Sequence, residues 1–170
     1  MPYIAPLHGG TEARVLSVLR DPGPKVRQSR NDEHGFLCIE NDDPTAEAQA
    51  TLFEATGIGL SDVTPWNAYP WYINAAPTAA QLNVGIDPLF RLLEQMKKPL
   101  VLLLQGGHAQ RSGHKFEKRW PGYLDSRNIE VVTTYHPGRQ ALWHKDAAER
   151  NRRLEDRLRA YRRVAEVLRR

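Results

Sequence analysis

Four short runs of apolar and β-branched residues punctuate the chain: ARVLSVL at 13–19, LSDVTPWN at 60–67, PLVLLLQG at 99–106 and IEVVTTYH at 129–136. Each is too short for an ordinary helix and ends at a turn-forming or polar residue, which predicts four buried strands. Between them the apolar period becomes helical. DPTAEAQATLFEATG at 43–57 offers Asp43 as N-cap, Pro44 at the first helical position and Gly57 as a stop. APTAAQLNVGIDPLFRLLEQMKK at 76–98 repeats Leu82, Ile86, Leu89, Phe90 and Leu93 at helical spacing, with a break expected at Asp87–Pro88. GGHAQRSGHKFEKR at 106–119 starts a helix directly after the third strand. The last helix, 145–168, aligns Leu154, Leu158, Tyr161, Ala165 and Leu168 on one stripe, with arginines on its other faces. Strands alternating with helices predict one domain over residues 1–170. Its expected fold is a three-layer α/β/α arrangement around a central, mainly parallel four-stranded sheet, with 145–170 as a C-terminal amphipathic, arginine-rich helix.

Composition narrows the class. With 170 residues, 41% of them hydrophobic and 26% charged, the chain can bury one core but is short for two domains. No apolar run reaches the length of a membrane span, and the start MPYIAPLHGG lacks the regions of a signal peptide. The lone Cys38 excludes a disulfide framework and a four-cysteine zinc or iron–sulfur site, and it fits a reducing cytoplasm. A cytoplasmic monomer without a membrane partner is the expectation.

The net charge of +4 is lopsided. Residues 145–170 carry ten bases against five acids, whereas the other 144 residues carry fourteen bases against fifteen acids. Between Arg30 and Arg91 there is no Lys or Arg, but there are nine acids. The high pI therefore belongs to the C-terminal helix and argues only weakly for nucleic-acid binding. Packing of that helix on the sheet is expected; a DNA-binding helix is the alternative.

In parallel sheets, ligands bind beyond the carboxyl ends of the strands. The segments just after the four strands are RDPGPK (20–25), NAYPW (67–71), GGHAQ (106–110) and HPGRQALW (136–143). Three of them hold a residue suited to chemistry: Asp21, Asn67 and His136. A carboxylate aimed by the stiff Pro-Gly-Pro turn can orient water or stabilise a developing cation, although Asp also forms turns. Asn67 offers a donor and an acceptor, the pattern that reads an imide or amide edge, or else caps a turn. Pro70, Trp71 and Tyr72 can supply an aromatic wall. His136 can donate to an oxygen that gains charge as a bond breaks. His34, His108, His114, His136 and His144 match no compact metal motif, so a metal site is not expected.

In this order the motifs resemble the uracil-DNA glycosylase superfamily, over roughly residues 13–143. HGFLC at 34–38 is similar to the segment that carries the base-stacking aromatic in the archetypal enzymes. VLLLQGGHAQRSG at 101–113 is similar to their apolar strand followed by Gly-Ser-His-Ala-Gln. DPGP is close to the Asn-Pro-Gly-Pro of the single-strand-selective monofunctional class, with aspartate restored; the iron–sulfur class is excluded.

The resemblance implies a monofunctional DNA glycosylase for base excision repair that needs no metal and no cofactor. It would hydrolyse the N-glycosidic bond of uracil, or a related damaged base, flipped out of DNA. The alternative is a glycosylase-like protein that binds nucleic acid or a base without excising it. By the resemblance, Asp21 would position the attacking water or stabilise the oxocarbenium-like sugar. Asn67 would bind the uracil edge, and His136 would stabilise charge on the uracil oxygen. Pro22, Gly23 and one of Phe36, Cys38 or Ile39 would pack on the base. Pro24, Lys25, Gly107 and His108 would contact DNA, and Arg139 or Leu142 would fill the gap left by the flipped base.

Two departures stand out. Gly23 replaces a tyrosine that excludes the thymine methyl group in the archetypal enzymes, which opens the site to larger pyrimidines. Gly138–Arg139 replaces Ser-Pro, removing a hydroxyl contact to phosphate. The acids Glu40, Asp42 and Asp43 also follow the base-stacking segment. Phosphate affinity would then fall to Lys25, Arg27, Arg30, Arg111, Lys115 and Arg139.

Overall fold

The computed structural model describes residues 1, 3–23, 35–73 and 75–170. Its elements are β1 (Tyr3–Ile4), β2 (Val15–Leu19), β3 (Phe36–Leu37), α1 (Pro44–Thr56), β4 (Val63–Asn67), α2 (Ala79–Gln95), β5 (Val101–Gln105), α3 (Gly107–Arg119), α4 (Tyr123–Ser126), β6 (Glu130–Thr134) and α5 (Ala147–Leu168). All four expected strands form, trimmed at their ends. They make one parallel sheet in the order β4-β2-β5-β6.

The pleat sorts the strand residues between two cores. Leu16, Val18, Leu102 and Leu104 pack with α2 and α3, whereas Val15, Val101, Leu103 and Val132 pack with α1 and α5. Helices cover both faces, which is why the strands read as nearly continuous apolar runs. The result is a three-layer α/β/α fold. The strands β1 and β3 pair separately, Tyr3 with Phe36 and Ile4 with Leu37. Two residues of strand are too few to show a period in sequence, so this ribbon was not expected. Among the described residues, no helix is long and apolar enough to cross a membrane.

The start and stop signals of α1 act as expected. The Asp43 carboxylate accepts the N–H groups of Thr45 and Ala46, and Gly57 ends the helix in the left-handed conformation at φ 70°. The break expected at Asp87–Pro88 does not occur: α2 runs through Pro88. A proline inside a helix costs about 3 kcal/mol. Leu82, Ile86, Leu89 and Leu93, all at most 3% exposed along that helix, each contribute about 1.5–3 kcal/mol of burial and outweigh it.

Helix α5 packs on β5, β6 and α1 with a buried face rotated from the expected stripe. Leu154 is 47% exposed, while Arg157 is 8% exposed and sits with the buried Tyr161, Val164 and Ala165.

Candidate active site

A cavity of about 620 Å³ opens at the carboxyl ends of the sheet, and Asp21, Asn67 and His136 all line it. Strand β2 is the switch point, with β4 on one side and β5 on the other, the place where such sheets bind ligands.

The first wall is built by main chain. Leu19 pairs with Asn67, and the ladder continues beyond the strands: Ala68 N–H donates to Leu19 O at 2.8 Å, and Tyr69 N–H to Arg20 O at 3.0 Å. Asp21 and Asn67 therefore emerge side by side. The Asp21 side chain is 4% exposed and accepts a hydrogen bond from Arg20 Nε. Asn67 is 2% exposed, and its Nδ2 has no acceptor among the described residues. A buried amide donor without a partner is costly, so a polar ligand atom there would be well rewarded.

The opposite wall carries His136. Gly106 N–H donates to Thr134 O at 2.8 Å, closing the β5–β6 ladder two residues short of it. Gly106 has φ 86°, and a Cβ there would stand 3.1 Å from His136 Cβ, so both its conformation and its closeness require glycine. Gly138 N–H donates to His136 Nδ1 at 3.0 Å. That bond fixes the tautomer: Nδ1 accepts, so the proton of the neutral ring sits on Nε2. Burial first, then the charges of Arg20 and Arg157, pushes the His136 pKa below 6.5 against the opposing Asp43 and Asp21. Burial and the two arginines thus favour the neutral ring. His108, also on the wall, is pushed the same way by burial and then by Arg111 and Arg20, with Asp21 opposing.

The cavity floor is polar in a way the sequence reading missed. Gln49 Nε2 and Gln105 Nε2 both donate to Ser17 Oγ, at 2.9 and 2.8 Å, and the Tyr161 hydroxyl donates to Gln105 Oε1. The signals were present: Ser17 interrupts VLSVL, and Gln105 ends VLLLQ. His8 was missed as well. It lines the cavity and accepts the Ile39 N–H at 3.2 Å, tying down the segment from Cys38 to Ile39.

Of the other expected site residues, Pro22, Gly23, Cys38, Ile39, Gly107 and His108 line the cavity. Phe36 does not; it is 45% exposed with its ring 6.2 Å from that of Tyr3. Arg139 and Leu142 bound a 3-10 turn whose Gln140 and Ala141 reach the cavity. Trp71 packs on Tyr69 at 5.0 Å, and the aromatic lining comes from Phe53, Trp66 and Tyr72. Pro24, Lys25, Arg27, Arg30 and His34 lie outside the described residues. A Cβ on Gly23 would meet nothing within 4 Å among the described residues. No three His, Cys, Asp or Glu side chains gather as a metal site would need, among the described residues.

The model of the uracil DNA glycosylase superfamily matches residues 12–162. No curated protein matches the chain.

Proposed function

The chain belongs to the uracil DNA glycosylase superfamily, and from that membership we propose that it is a monofunctional glycosylase that removes uracil, or a related pyrimidine, flipped out of DNA. The observation that carries the reading is the pairing of an imidazole protonated on Nε2 with a buried amide donor that has no acceptor among the described residues, in one cavity. A pyrimidine imide offers carbonyl oxygens to both groups and an N–H to the Asn67 oxygen.

Bond breaking sends the C1′–N1 electron pair into the base, and charge builds on its carbonyl oxygens. His136 Nε2–H donates to the oxygen next to N1, lowering the energy of the departing anion without full proton transfer. Asn67 holds the far edge. Asp21 stabilises the positive sugar and directs a water to C1′, accepting its proton as the new C–O bond forms. The polar floor of Ser17, Gln49 and Gln105 and the space beside Gly23 leave room for a base larger than uracil.

Incubation with an oligonucleotide containing one uracil, followed by alkali, tests the reading. Strand scission at that position is expected. A gel shift without scission would replace it with the binding-only alternative.

A further inference from the structure

Helix α5 carries most of the surplus positive charge, yet three of its arginines bond to the protein's own main chain. Arg150, Arg153 and Arg157 lie at i, i+3 and i+7, on one side of the helix. All three donate to main-chain carbonyls of the segment that follows His136. Arg157 Nη1 donates to Pro137 O at 2.6 Å. Arg153 Nη1 reaches Trp143 O at 3.1 Å and Ala141 O at 3.4 Å, and its guanidinium lies 5.7 Å from the Tyr135 ring centroid. Arg150 Nη1 donates to His144 O at 2.7 Å and Lys145 O at 3.3 Å.

Arg157 differs from the other two. It is 8% exposed, its Nε has no acceptor, and no carboxylate lies within 4 Å of it among the described residues. A buried guanidinium without a counter-ion costs stability, and an apolar side chain of similar volume would pack α5 on the sheet at lower cost. Its one hydrogen bond among the described residues goes to the residue directly after His136.

We infer that Arg157 is a positioning residue of the active site: it holds the His136–Pro137–Gly138 turn with the imidazole at the cavity and sets a permanent positive charge beside that ring. The inference rests on the reading of His136 as a neutral donor. Among the described residues, four charged groups act on the imidazole: Arg20 and Asp21 after β2, Asp43 before α1, and Arg157 on α5. His108, at the start of α3, shares the cavity wall. The two arginines oppose a second proton on the ring, and the two carboxylates favour it. Removing Arg157 shifts that balance and frees the Pro137 carbonyl at once.

The test is an NMR titration of the His136 imidazole in the full chain, paired with single-turnover excision against pH. In Arg157→Gln the His136 midpoint should rise by about half a pH unit, because one nearby charge is gone. The acid limb of excision should move up with it, and the rate at pH 7.5 should fall about tenfold, a common size for losing a group behind a functional histidine. Arg157→Lys, which keeps the charge, should leave the midpoint near that of the wild type. Arg157→Met removes the charge at similar volume and serves if glutamine upsets folding. An unchanged His136 midpoint in a folded, charge-free variant overturns the inference. The titration needs no DNA, so an inactive wild type would overturn the proposed function while leaving this comparison intact.

Discussion

The two walls of the cavity are held by different means. Asp21 and Asn67 follow neighbouring strands, and the β2–β4 hydrogen-bond ladder runs on past both strand ends through Ala68 and Tyr69. No side chain is needed to bring them together. The β5–β6 ladder stops two residues before His136, and that turn is held by Gly138 N–H, by the close approach of Gly106 and by the Arg157 guanidinium. One wall is a property of the sheet. The other is a property of a few side chains, so single substitutions away from the imidazole should damage it.

The largest effects come from deleting the chemistry of either wall. Asp21→Asn and His136→Ala should each lower single-turnover excision by at least ~10²-fold, the scale of losing one electrostatic stabiliser. Near-wild-type rates in both variants would remove the assigned roles. The walls should part company in their supports. Gly106→Ala forces a side chain into a backbone region at φ 86°, ψ 167° that costs about 1–3 kcal/mol. It also presses on His136, so thermal melting should drop by several degrees and excision should fall with it. A fully active, unshifted Gly106→Ala protein would show that the His136 wall is as robust as the other.

That contrast also explains what the sequence disclosed. The parallel sheet was readable from four apolar runs. Once a parallel sheet is expected, residues after strand ends must converge, so Asp21, Asn67 and His136 could be named together. Main-chain pairing depends on pattern, and pattern is visible. The Arg157 contact joins positions 20 residues apart through a side chain on a basic helix. The spacing of Arg157, one and two turns from Tyr161 and Val164, marks the apolar face, but nothing in the sequence names the Pro137 carbonyl as its partner. The continuity of α2 through Pro88 was hidden for a similar reason, because local propensity carries no record of the burial that overrides it.

The pH response should separate the walls next. His136, His108 and His8 all bind a proton less readily in the fold than in the unfolded chain, burial being the first cause in each. Unfolding then takes up protons, so stability is complete above about pH 6.5 and is lost as pH falls through and below that value. At His136 the loss is also functional. A proton on Nδ1 would confront the Gly138 N–H across 3.0 Å and open the turn. Excision should therefore decline at a pH below 6.5, and a melting series from pH 8 to 5 should fall over the same window. Stability that rises on acidification across that window would contradict the burial of these rings.

The smallest effect on uracil itself is expected at Gly23, on the main-chain wall. Here the backbone already fixes the position, and among the described residues nothing lies within 4 Å of where a Cβ would stand. A side chain at 23 can therefore grow into the cavity without moving Asp21 or Asn67. Gly23→Tyr should leave uracil excision within about threefold of wild type, because uracil presents only a hydrogen at its 5-position. For 5-substituted uracils the new ring would meet the substituent, and a contact of methyl size is worth about 1–3 kcal/mol, or about 10- to 200-fold. The wild type should accept such bases at rates approaching that for uracil, and the variant should lose them selectively. The ratio of the two single-turnover rates, measured on otherwise identical oligonucleotides, reads this directly. If the ratio is the same in both proteins, the space beside Gly23 does not receive the 5-substituent, and base choice must be sought instead at the floor formed by Ser17, Gln49 and Gln105.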